Sequence, residues 1–76
     1  MENQARTVAI HTDCITLGQL LKFAGLVQTG GEAKARIEAG EVRVNGAPCA
    51  ARGHKLFPGD RVTLGGQTVT VGKAPA

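Results

Sequence analysis

The sequence predicts an α+β fold in which two short helices pack against one face of a small antiparallel sheet. Three observations predict it. Leu17, Leu20, Leu21 and Ala24 fall at i, i+3, i+4 and i+7, the spacing of a single apolar stripe on a helix. Residues 32–38 are mostly good helix formers with glycine on either side. From Val42 onward, apolar residues recur at alternate positions in short runs punctuated by Asn45-Gly46, Pro58-Gly59 and Gly65-Gly66, the signature of short antiparallel strands.

Taken in order, residues 1–5 carry no pattern, and residues 6–10 alternate through Val8 and Ile10 as an edge strand would. Thr16 then precedes the leucine stripe with Gln19 three residues later, a capping-box spacing, and Gly25 supplies the stop. Leu26 and Val27 are expected to fold back onto the stripe. Residues 28–31 make a turn into the second helix, capped by Thr29 or Gly30 and ended by Gly40. Immediately afterwards Val42 and Val44 alternate with Glu41 and Arg43, so helix gives way to strand within two residues. Residues 47–56 show no sustained period and are expected to be a loop with at most one short strand. Residues 57–60 form a turn, with Pro58 suited to its second position and Gly59 to the third, where type II requires positive φ. Residues 61–64 and 67–71 then make a hairpin across Gly65-Gly66, and the end of the chain is expected to fray. The expectation is one domain over 1–76, with its main body at about 16–64, the hairpin to 71 and a frayed tail at 72–76. Its core is expected to comprise Leu17, Leu20, Leu21, Leu26, Ile37, Val42, Val44, Leu56, Val62 and Leu64.

Composition narrows the function. Seventy-six residues with Phe23 and Phe57 as the only aromatics allow a modest, aliphatic core. A formal charge of +3 and a pI near 9.3 favour an anionic partner. No basic region followed by an apolar run opens the chain, so Cys14 and Cys49 are expected to be reduced thiols in the cytoplasm. No stretch approaches the roughly 20 apolar residues needed to cross a bilayer, and no membrane partner is expected. Neither a Ser/His/Asp set nor a carboxylate pair is suggested, and a chain of this length rarely encloses a substrate pocket, so no catalysis is expected. His11, Cys14, Cys49 and His54 are the right types for zinc but lack a Cys-x-x-Cys knuckle, and no metal or other cofactor is expected.

The candidate binding residues are cations on rigid elements. Lys34 sits one turn into the second helix, Arg43 lies on the strand that follows, and Arg52, His54 and Lys55 cluster in the next loop. Gly30 and Gly31 open that helix; their backbone N–H groups either hold a phosphate or simply form a flexible turn.

Along residues 16–64 the chain resembles the S4 RNA-binding domain family. The resemblance rests on Leu17, Leu21, Gly25-Leu26, Thr29, Ala33-Lys34, Ile37, Gly40, Val42, Val44-Asn45-Gly46 and Gly59-Asp60, without gaps from Leu17 through Gly46. It is most similar to the small stand-alone bacterial branch, through Thr29-Gly30-Gly31-Glu32-Ala33-Lys34 and Ala51-Arg52-Gly53-His54-Lys55-Leu56. The resemblance implies the S4-like αL arrangement of two helices and a hairpin. It also implies a monomer that binds structured RNA, ribosomal RNA or its precursors, alone or in ribosomal particles. RNA contact then falls on Lys34, Arg52 and Lys55, with Arg43 and His54 as secondary positions. Three positions depart from the family pattern: Gly30 stands where an arginine is common, Gly18 where an aspartate is usual, and Arg36 where a small or apolar residue is normal. The physics agrees with such a partner, because A-form RNA offers shape, phosphates and 2′-hydroxyls to a rigid basic surface, whereas single strands call for stacking aromatics.

The alternative is a small protein-interaction or ubiquitin-like sulfur-carrier domain without RNA binding. Such a carrier shares a Val-x-Val-Asn-Gly strand and a Gly-Asp turn but ends in a free Gly-Gly, whereas this sequence ends Pro75-Ala76.

Overall fold

In a computed structural model that describes residues 4–75, nine elements follow one another. They are β1 (Gln4–Ile10), β2 (Ile15–Thr16), α1 (Leu17–Phe23), α2 (Gly30–Glu38), β3 (Arg43–Val44), β4 (Ala47–Pro48), β5 (Lys55–Leu56), β6 (Arg61–Leu64) and β7 (Gln67–Lys73). Most of the patternless start, residues 1–3, and the final residue of the tail, Ala76, lie outside the described residues.

Both helices are built from their ends as the sequence suggests. At α1 the Thr16 hydroxyl accepts the Gln19 N–H at 3.4 Å, and at α2 the Thr29 hydroxyl accepts the Glu32 N–H at 3.0 Å. Glu32 also reaches back, its Oε1 accepting the Gln28 N–H at 2.9 Å, a reciprocal cap shifted by one residue from the usual box. Gly25 (φ 75°) and Gly40 (φ 78°) stop the helices in the left-handed region. After Gly25 the chain folds back, with Leu26 and Val27 N–H groups both directed at the Leu21 carbonyl at 2.9 and 3.3 Å.

Five strands form the main sheet in the order β1-β7-β6-β3-β4, and β2 and β5 make a separate two-stranded ladder. Pairing is antiparallel except at one edge, where β1 runs parallel to β7 from Gln4 opposite Gln67 to Ile10 opposite Lys73. Alternation within residues 6–10 marks a strand but carries no information about partner or direction, so this parallel edge could not be read from it. The same pairing corrects the expected frayed tail. β7 continues two residues past Val71, and the Ala74 N–H donates to the Ile10 carbonyl at 2.8 Å. The 47–56 loop is likewise more ordered than its lack of period suggests: Ala47–Pro48 pairs with β3 across the Asn45-Gly46 turn, and Lys55–Leu56 pairs with β2.

The helices and the inner sheet face share one aliphatic core. Of the expected members, all are buried except Leu26, which is half-buried, and Ile10, Ala24, Val27, Ala33, Val69 and Val71 join them. At roughly 1.5–3 kcal/mol per fully buried Val, Leu or Ile, these side chains supply most of the drive to fold. Neither aromatic residue takes part: Phe23 and Phe57 are 59% and 52% exposed.

Candidate nucleic-acid interface

Residues 51–54 form a tight turn, closed by the His54 N–H donating to the Ala51 carbonyl at 3.1 Å. Its carbonyls face α1. The first free N–H groups of that helix, on Leu17 and Gly18, donate to the carbonyls of His54 at 2.8 Å and Arg52 at 3.1 Å. An unpatterned loop is thereby fixed to a helix end. Gly18 lets the loop come this close: a Cβ there would stand 2.7 Å from Cγ of Arg52, so the Arg52 stem lies across the space that any side chain would fill.

Between this turn and the starts of both helices lies a cleft of about 260 Å³ lined by Thr16, Gly18, Gln19, Lys22, Gly30, Ala33, Arg52 and Gly53. Two of these residues are cations and none is acidic. Lys22 was not among the sequence candidates. No local pattern marks it, although it lies one turn along from Gly18 on the same helix face. Among the described residues, neither Lys22 nor Arg52 forms a salt bridge.

The sequence candidates divide between this cleft and other surfaces. Arg52 and Gly30 line it. Lys34 is exposed one turn along α2 from Gly30 and does not itself line the cleft. Lys55 is exposed on β5 opposite Thr16, the α1 cap that also lines the cleft. His54 is exposed at the end of the turn, and Gly31 is exposed on the first turn of α2 without lining the cleft. Arg43 lies apart from these residues. It alternates with buried Val42 and Val44, pairs with Thr63, and turns to the sheet face away from the core, where its Nη1 donates to the Gly46 carbonyl at 3.4 Å.

Charge at the α2 start is also modified locally. Glu32 occupies the first turn, where it already complements the positive end of the helix dipole. Arg36, a departure from the family pattern, is committed elsewhere on this helix. Its Nη1 donates to Glu41 Oε1 at 2.7 Å and its Nη2 lies 3.9 Å from Glu32. The Glu41 hydrogen bond first, and then its charge, hold the Arg36 guanidinium above its ordinary pKa. Cys14 and Cys49 are free and half-buried.

The sequence profile of the S4 domain matches residues 8–72. The chain belongs to the S4 domain family. This S4 domain is 47% identical over 62 residues to a protein of Bacillus subtilis (strain 168) named probable ribosome maturation protein RlbA, with 82% of this chain and 87% of the relative covered. It is also 42% identical over 53 residues to a tyrosine–tRNA ligase of Burkholderia lata; those residues are 70% of this chain but 13% of the ligase. The two helices, the turn at 51–54 and all of the hairpin but Lys73 lie within the matched residues of this S4 domain.

Proposed function

We propose that this S4 domain is a non-catalytic RNA-binding module that holds structured RNA, namely ribosomal RNA or its precursors, through phosphates. The observation that carries the reading is the cleft at the two helix starts, whose lining includes Arg52 and Lys22 and no acidic residue, with exposed Lys34 one turn along α2 from Gly30 and exposed Lys55 paired with Thr16. Glycines at 30 and 53, beside which the space is open, remove side chains from its wall, which lets a backbone phosphate approach closely. Family membership and the relative named for ribosome maturation support ribosomal RNA as the class. The protein acts as a monomer in the cytoplasm, on free RNA or on ribosomal particles. Such cations are point or fork donors to phosphate, and the wide minor groove of an A-form helix lets a rigid surface meet phosphates and 2′-hydroxyls together.

The test is a titration of a structured ribosomal RNA fragment and a DNA duplex of equal length across a range of salt. RNA should bind more tightly, and log affinity should fall with log salt at a slope of about −2 to −4, corresponding to three or four phosphate contacts. Equal affinity for the two duplexes, or no salt dependence, refutes the proposal.

A further inference from the structure

We propose that a second cleft beside Phe23 takes an unpaired nucleobase of the same RNA, stacked on the phenyl ring. The inference rests on the RNA-binding reading above and adds to it a site for a base.

The cleft has a volume of about 430 Å³ and is lined by Thr12, Cys14, Ile15, Gln19, Lys22 and Phe23. Gln19 and Lys22 line the first cleft as well, so the two hollows lie on either side of one ridge of α1. A strand whose phosphate meets Lys22 in the first cleft has its neighbouring base at the edge of the second. The second cleft's lining matches a base in three respects. Phe23 and Ile15 supply apolar faces, the Gln19 amide supplies both donor and acceptor for a base edge, and Lys22 adds a cation to the same lining. No acidic residue lines it. Asp13, within the loop that carries Thr12 and Cys14, has its carboxylate held by Lys73 at 2.9 Å.

Burial explains why a bound group is expected. Phe23 ends a helix whose Leu17, Leu20 and Leu21 are wholly buried, yet its own side chain stands 59% exposed beside an open apolar hollow. A stacked base would cover that surface while leaving the charged edge in water. Stacking on an aromatic side chain tolerates any base, so this site adds affinity for an unpaired nucleotide rather than sequence preference.

The experiment uses two blunt RNA duplexes identical except for one bulged nucleotide, 2-aminopurine, with the parent protein, Phe23→Leu and Phe57→Leu. Phe57 is the other exposed aromatic and does not line the cleft. The parent should bind the bulged duplex roughly 5- to 150-fold more tightly than the paired one, the range expected of one base–aromatic stack, and should quench the 2-aminopurine fluorescence. Phe23→Leu, which retains an apolar side chain, should bind both duplexes at the paired level without quenching, and Phe57→Leu should behave as the parent. Equal binding of both duplexes by the parent, with unchanged fluorescence, would overturn the inference and leave the cleft for an apolar side chain of a protein partner. An equal loss on both duplexes in Phe23→Leu would overturn it too. If the parent binds neither duplex better than DNA, it is the RNA-binding reading itself that fails.

Discussion

Arg52 lies across Gly18. The Gly18 N–H donates to the Arg52 carbonyl at 3.1 Å, and a methyl group on Gly18 would meet the Arg52 Cγ at 2.7 Å. Gly18→Ala should therefore act on binding more than on folding. Alanine gains up to about 1 kcal/mol of helix propensity over glycine, which offsets the displacement of a flexible stem. The Arg52 guanidinium must then move, and RNA affinity should fall toward that of Arg52→Gln while the melting temperature stays close to the parent. An unchanged affinity would mean that the position of Arg52 over Gly18 does not matter for binding.

Single-charge substitutions separate local contact from net charge. Lys22→Gln, Lys34→Gln, Arg52→Gln and Lys55→Gln should each flatten the plot of log affinity against log salt by just under one unit. Lys73→Gln removes the same charge at the opposite end of the domain's sequence, where Lys73 pairs with Asp13, and should leave the slope unchanged. Equal slopes for all five variants would reduce the binding face to overall charge.

Leu21→Ala tests the core. Leu21 is wholly buried, and its carbonyl accepts the two N–H groups that turn the chain back after α1. The truncation should cost on the order of 2–5 kcal/mol in chemical denaturation, with the larger values if the cavity does not collapse.

Asn45 joins the turn after β3 to the turn before β6. Its Oδ1 accepts the Arg61 N–H at 2.9 Å, its Nδ2 donates to Asp60 Oδ1 at 3.2 Å, and its backbone sits at φ 52°. Asn45→Ala should lose about 2–5 kcal/mol, combining two hydrogen bonds of roughly 0.5–1.5 kcal/mol each with about 1–2 kcal/mol for a left-handed alanine. Asn45→Gly keeps the backbone conformation and loses only the hydrogen bonds, so denaturation of the pair measures the two contributions separately.

The Lys73 hydrogen bond, and then its charge, hold the Asp13 carboxyl below the ordinary aspartate pKa. A carboxyl with a lowered native pKa stabilises the fold above its unfolded value, and that contribution is lost as pH falls through the native value. In an NMR titration, Asp13 should reach its midpoint below that of a free aspartate, and Lys73→Gln should return it to the ordinary range.

The helices were legible because each carries its own start, stripe and stop within about ten residues: Thr16 to Gly25 and Thr29 to Gly40. The hairpin at Gly65-Gly66 was legible for the same reason. Three features were not, and each depends on residues distant in sequence. The parallel partner of residues 4–10 lies at 67–73, the partner of Lys55–Leu56 at 15–16, and the seat of the Arg52 stem at Gly18. The glycine at 18 showed only as a missing aspartate, and nothing local to it could reveal that its absent side chain makes room for an arginine 34 positions away. Lys22 was not legible because the apolar stripe of α1 speaks only for the core side of that helix and says nothing of which polar position faces the cleft.

The parallel edge also sets when this domain can be finished during synthesis. Gln4 pairs with Gln67 and Ile10 with Lys73, so β1 emerges from the ribosome 63 positions ahead of its partner. At about 5–20 residues per second, that is a wait of roughly 3–13 s, long compared with the formation of either helix. Throughout that interval Ile10 has no Val69 or Val71 beside it, and the inner face of the sheet stands open. Both helices and the turn that completes the cleft between them are made before β7, and the sheet behind them closes only after Lys73 has been added.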